Sequence, residues 1–72
     1  MTRWETLAEH LRDQIRSGHI QPGELLPSYA QLQEQHGISY GTVRQALWVL
    51  RMQGWVAGEP GVGVRVRADH PA

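Results

Sequence analysis

The 72-residue chain contains no cysteine and no lysine, and its formal net charge is zero. Without cysteine there is no disulfide framework and no thiolate metal site, so stability has to come from packing. No apolar run approaches the roughly 18 residues of a membrane-spanning helix, and no signal peptide opens the chain. A chain this short makes one domain at most, because cores are already thin below about 70–80 residues. These absences together predict a soluble domain inside the cell. No nucleophile–base–orienter set is visible either, and a domain without a cleft-forming second layer makes a poor enzyme. The histidines (His10, His19, His36 and His70) are scattered without ligand spacing, so neither a metal nor a cofactor is expected.

The zero net charge hides an uneven spread. Residues 1–39 carry Arg3, Arg12 and Arg16 against Glu5, Glu9, Asp13, Glu24 and Glu34, a balance of −2. Residues 40–67 carry Arg44, Arg51, Arg65 and Arg67 against Glu59 alone, a balance of +3. An anionic partner meets the charge of the contacting face, not the chain total. Such a face belongs to the second half.

Thr2 to Glu5 reads T-x-x-E, the capping-box pattern of a helix start. Trp4, Leu7, Ala8, Leu11 and Ile15 follow at spacings of three and four, and Gly18 suits the residue that ends such a stripe. A first helix is predicted over 3–17. Pro22-Gly23 marks a turn leading Leu25 and Leu26 back toward the core. Ser28 caps a short second helix over 29–36, with Gln31 as its reciprocal partner, Ala30 or Leu32 inward, and Gly37 as its stop. Ser39 caps a third helix that runs to Gln53 and halts at Gly54. Only Gly37, Ile38 and Ser39 separate the second and third helices, and a glycine-bearing turn this short is the helix-turn-helix connection.

Beyond Gly54 the period changes to two. Trp55-Val56-Ala57 is a strand candidate, Glu59-Pro60-Gly61 a turn, and V-G-V-R-V-R (62–67) alternates. Val62, Val64 and Val66 are expected inward, with Gly63, Arg65 and Arg67 outward. Three helices followed by a two-stranded β-hairpin give an α+β winged helix-turn-helix over residues 1–67, with 68–72 as a polar tail.

At about 100° per residue, Val43, Ala46, Leu47 and Leu50 share one side of the third helix. Tyr40, Gly41, Arg44, Trp48 and Arg51 share the other, with Gln45 at the border. None of these outward residues helps the helix bury itself, and Tyr40, Gly41 and Thr42 are middling or poor helix formers. A helix N-terminus offers free N–H groups and a positive dipole end, which suit phosphate. The Ser39 and Thr42 hydroxyls add donors there, Gly41 lets another backbone come close, and Arg44 is placed to read guanine O6 and N7. The plainer reading is a neutral first-turn glycine and a solvated arginine. The turn before that helix and the basic hairpin after it count against this.

The hairpin glycines lack the following helix that a dinucleotide fingerprint needs. They make either a flexible loop or a wing along the minor groove or backbone, with Arg65 and Arg67 near phosphates. Trp4 and Trp55 belong to inner stripes. Trp48, with Arg51 beside it, is an exposed aromatic of the kind that marks a partner surface or a flat contact on DNA backbone.

I-R-S-G-H-I-Q-P-G-E-L-L-P-S (15–28) resembles the I-x-x-G-x-x-x-P-G-x-x-L-P-S core of the GntR family of bacterial transcription regulators. H-G-I-S-Y-G-T-V-R-Q-A-L (36–47) is similar to that family's G-V-S-R-x-T-V-R-x-A-L, and Q-G-W-V (53–56) and a glycine-bearing wing follow in order. The resemblance implies a sequence-specific DNA-binding regulator, with repression as its expected sign. It places helix 40–53 in the major groove and wing 58–65 near the minor groove. Ser28, Ser39, Thr42, Arg44 and Gly61 match positions the family uses at or near DNA. Ala30 and Tyr40 stand where the family commonly has arginines, so weaker phosphate binding and a different operator are expected.

Family members normally continue into a domain that binds an effector and dimerises the protein. The chain stops at Ala72, which fits either an excised DNA-binding domain or a minimal regulator, and it shows no small-molecule effector site of its own. One module covers only about 600–1,000 Å² on DNA, so a homodimer or a partner protein on a palindromic operator is expected. The implied setting is the cytoplasm and nucleoid of a bacterium. The competing reading is a winged-helix protein-interaction module that uses the Trp48 and Tyr40 face.

Overall fold

The computed structural model describes residues 1–71 and runs α1 (Arg3–Arg16), α2 (Tyr29–His36), α3 (Tyr40–Met52), β1 (Val56–Glu59) and β2 (Gly63–Val66). Each helix starts where a side chain takes up its orphan amides. Thr2 Oγ1 accepts the Glu5 N–H while the Glu5 carboxylate accepts the Thr2 N–H at 2.9 Å, and Ser28 with Gln31 repeats the arrangement on α2. These contacts are local, which is why the predicted starts hold. Gly37 ends α2 in the left-handed region at φ 61, so Ile38 and Ser39 suffice to start α3.

The core is a single cluster. Leu7, Ala8, Leu11 and Ile15 of α1 face Val43, Ala46, Leu47 and Leu50 of α3, and α2 adds Leu32. Trp55, Val56 and Val66 close it from the hairpin, and Trp4 is half-buried against its edge. Of the two inward candidates on α2, Leu32 is buried and Ala30 is exposed.

β1 and β2 pair antiparallel, Val56 opposite Val66 and Glu59 opposite Gly63. The turn falls on Pro60-Gly61-Val62, with the Val62 N–H donating to the Glu59 carbonyl at 3.0 Å and Gly61 at φ 77. Proline followed by a positive-φ glycine is the residue pair of a type II turn. Because the turn takes up Val62, that side chain is 57% exposed rather than inward, while Val64 is half-buried and Val66 buried.

The loop after α1 does more than return two leucines to the core. The Leu26 N–H donates to Val64 O at 2.8 Å, the Val66 N–H to Glu24 O at 2.9 Å, and the Gly23 N–H to Val66 O at 2.9 Å. Residues 23–26 thus line the free edge of β2, with Leu25 bridged to Arg65. Strand alternation then buries Leu26 and leaves Leu25 43% exposed, a correction to the pair expected inward. The covered edge can no longer template pairing with another chain.

Residues 67–70 turn back onto Trp55. The Arg67 N–H donates to Trp55 O at 3.0 Å, and the His70 ring stacks on Trp55 with centroids 5.4 Å apart. The Arg16 guanidinium lies 5.3 Å from the Trp55 ring centroid, in cation–π range.

Candidate nucleic-acid interface

Ser39 caps α3 with its Oγ accepting the Thr42 N–H at 3.2 Å, and the same oxygen lies 2.9 Å from Thr42 Oγ1. One of the two hydroxyls therefore donates to the other, which leaves one O–H to point outward. The amides at the very start of α3 have no intrahelical acceptor and open onto the same side. Tyr40 is 56% exposed, and its ring leans on Tyr29 with centroids 5.3 Å apart. Tyr29 follows the Ser28 cap and Tyr40 follows the Ser39 cap, so this contact brings the N-termini of α2 and α3 to one side. Sequence reasoning missed Tyr29, because its neighbour on α3 is eleven positions away and no local pattern joins them.

Gly41 has no positive φ, and a Cβ built on it would meet only Ser39 Oγ, at 4.0 Å. Neither backbone geometry nor crowding calls for glycine there. Gly41, Arg44, Gln45 and Trp48 line one shallow depression on α3, and Trp48 is 55% exposed. Among the described residues no carboxylate pairs with Arg44 or Arg51. Arg51 lies across the foot of the wing, its Cζ 3.5 Å from where a Cβ of Gly58 would stand. It lines, with Tyr29 and the wing tip, the groove between α3 and the hairpin.

The wing arginines are differently placed. Arg65, expected outward and near phosphates, is half-buried. Its Nε and Nη2 donate to Glu59 Oε1 and Oε2 at 2.7 and 3.1 Å, and its Nη1 to Gly23 O at 2.6 Å. These bonds hold the Glu59 carboxyl below the ordinary carboxylate range and raise the Arg65 guanidinium. Arg67 donates from Nε and Nη2 to the two carboxylate oxygens of Asp69, both at 2.9 Å, with the same directions of shift. The basic half therefore divides: the helix arginines are unengaged and the wing arginines carry intramolecular carboxylates. The Glu59–Arg65 pair had a sequence signal, since a turn at 60–62 makes the two diagonal neighbours on one face of the hairpin. Gly61 sits exposed at the wing tip. No three histidine, aspartate or glutamate side chains gather as a metal site, and no helix is long and apolar enough to cross a membrane, among the described residues.

Three helices closed by an antiparallel hairpin, with a polar, aromatic-edged face of α3 left open, define a winged helix-turn-helix domain. The chain belongs to the gntR family of bacterial regulatory proteins, whose model matches residues 4–66. It is 41% identical over 66 residues to the HTH-type transcriptional regulator YdcR of Escherichia coli K12, across 92% of this chain and 14% of that protein. It is 36% identical over 66 residues to MngR of the same organism, the mannosyl-D-glycerate transport/metabolism system repressor, across 92% of this chain and 28% of that one. The chain thus spans only 14% to 28% of the length of these two relatives. Among solved structures, the DNA-binding domain of AraR in complex with an operator superposes with a TM-score of 0.89 at 29% identity, covering 92% of this chain and 80% of that one.

Proposed function

We propose that the chain is the DNA-reading domain of a GntR-type transcription regulator, most simply a repressor, acting at the bacterial nucleoid. α3 lies in the major groove and wing 58–65 near the minor groove. Domain and tail divide near residue 67. The observation that carries this reading is the outward face of α3: an arginine without an internal partner stands one turn from a glycine that the fold does not require.

The roles follow from the geometry. Ser28 and Ser39, each heading a helix, bring N-terminal amides to backbone phosphates, with Thr42 and Tyr40 adding hydroxyl donors. Gly41 lets the phosphate-bearing strand approach. Arg44 reads guanine, and Gln45 beside it suits adenine. Gly61 brings the wing tip close to the backbone. Arg51 and Arg67 are the phosphate contacts of the wing side, and Arg65 braces the hairpin that carries them. The similarity to an AraR domain solved with its operator supports duplex DNA as the partner, and the relative named as a repressor, MngR, supports the sign. A single module covers little DNA, so the working unit is two such domains on a palindromic operator, joined directly or through a partner.

Selection of bound duplexes from a random pool tests the reading. The wild-type chain enriches a guanine-bearing half-site, and log K falls with log salt at a slope near −3, for three or four phosphates at about 0.9 each. Arg44→Ala flattens preference at the guanine, by about 1–3 kcal/mol of lost discrimination, with the fold intact. Preference unchanged in Arg44→Ala would remove that residue from the site. A protein that binds all duplexes weakly and alike would be the protein-interaction module instead.

A further inference from the structure

Gly41, Arg44, Gln45 and Trp48 stand at i, i+3, i+4 and i+7 of α3 and enclose one shallow depression. Those four positions are the corners of the hole that, in packed helices, receives a knob from a neighbouring element. Here all four residues are exposed, and among the described residues no element fills the hole. One corner has no side chain, two have polar ends on aliphatic stems, and the last is an indole ring. We propose that the hole receives the 5-methyl group of a thymine, so that Trp48 selects a thymine close to the guanine read by Arg44. This rests on the DNA-reading role proposed above.

The chemistry of the groove favours this occupant. The major-groove edges of base pairs present hydrogen-bond acceptors, donors and one apolar group, the thymine methyl. Arg44 and Gln45 match the hydrogen-bonding edges. An indole face has no acceptor and only one edge donor, so what Trp48 offers is apolar area. Its direction is right as well. Four residues on from Arg44, it is rotated by only about 40° and lies about 6 Å further along the axis. With base pairs about 3.4 Å apart, that rise sets the methyl one or two steps from the guanine. The open corner at Gly41 lets the helix settle deep enough for contact. The core does not need Trp48: over half of it is exposed, its covered part borders the foot of the wing at residues 56–58, and Leu47 and Leu50 hold the buried side of that turn.

The test replaces each thymine of a selected duplex in turn by deoxyuridine, which deletes the methyl and nothing else. Wild-type binding weakens about fourfold at a thymine one or two steps from the guanine, the equivalent of about 0.8 kcal/mol for one buried carbon. Trp48→Ala binds the thymine and deoxyuridine duplexes alike at that position, and Trp48→Phe recovers part of the difference. Circular dichroism melting confirms that both variants are folded. A deoxyuridine effect of equal size in Trp48→Ala, or none at any position in the wild type, overturns the inference. Replacing the guanine by 7-deazaguanine separates the two layers. Weakened binding there, together with indifference to deoxyuridine, leaves DNA reading in place and removes the thymine pocket, whereas a pool with no enriched duplex removes both. Self-association lost in Trp48→Ala, with affinity for every duplex unchanged, would assign the hole to a second copy of the chain and likewise overturn the proposal.

Discussion

Exchanging glycine for alanine where the backbone permits it stabilises a fold by about 0.4–1 kcal/mol. At Gly41, in the first turn of α3, the structure offers no backbone or packing reason for glycine. Folding and binding are therefore expected to separate there. Gly41→Ala raises stability by about 0.5–1 kcal/mol in urea titration and weakens duplex binding, because the new methyl stands on the contacting face. Lower stability together with unchanged binding would show that the glycine serves the fold after all. At this scale the outward set on α3 was legible in the sequence, because the angular position of Arg44, Gln45 and Trp48 follows from helix periodicity alone. The state of Arg65 was legible only as far as its Glu59 partner. Alternation says which face of a strand a residue takes, but its guanidinium is claimed by Gly23, a residue 42 positions away.

Among the elements, the wing departs furthest from its sequence reading. Its second strand is flanked on the far side by residues 23–26, so the hairpin is tied to the loop after α1 rather than hanging from α3 alone. The helices came through nearly unshifted because capping boxes and a left-handed stop act within four residues. An edge pairing across some forty residues leaves no such mark. The wing also carries its own counter-charge. Asp69 occupies Nε and Nη2 of Arg67, one of the forks that a phosphate would use. Asp69→Asn is expected to strengthen binding to all duplexes alike and to steepen the salt slope by about 0.9, as measured by anisotropy titration over a salt series. An unchanged slope would mean that Arg67 does not reach the backbone.

At the scale of the whole molecule, three carboxyls among the described residues sit below their ordinary range. Glu5 is held there chiefly by the Thr2 N–H, Glu59 by the Arg65 guanidinium and Asp69 by the Arg67 guanidinium. A carboxyl depressed in the folded state binds fewer protons there than in the unfolded chain. The stability it contributes is present above the ordinary carboxylate range and lost as pH falls through the folded value. The melting temperature is expected to hold from neutrality to about pH 5.5 and to fall below about pH 4.5, less steeply in Glu59→Gln. A melting temperature that rose on acidification would show the carboxyls unpaired in solution. The sequence by itself determined the three helices, the tight turn between the last two, the hairpin and the side of α3 turned away from the core. Each of these depends on contacts within a few residues or on a repeating period. Only the tertiary structure decided which arginines are free, where Leu25 and Val62 face, and how residues 67–70 close over Trp55. Those outcomes depend on which distant groups meet, and pairing between distant groups is set by packing, which no local pattern encodes.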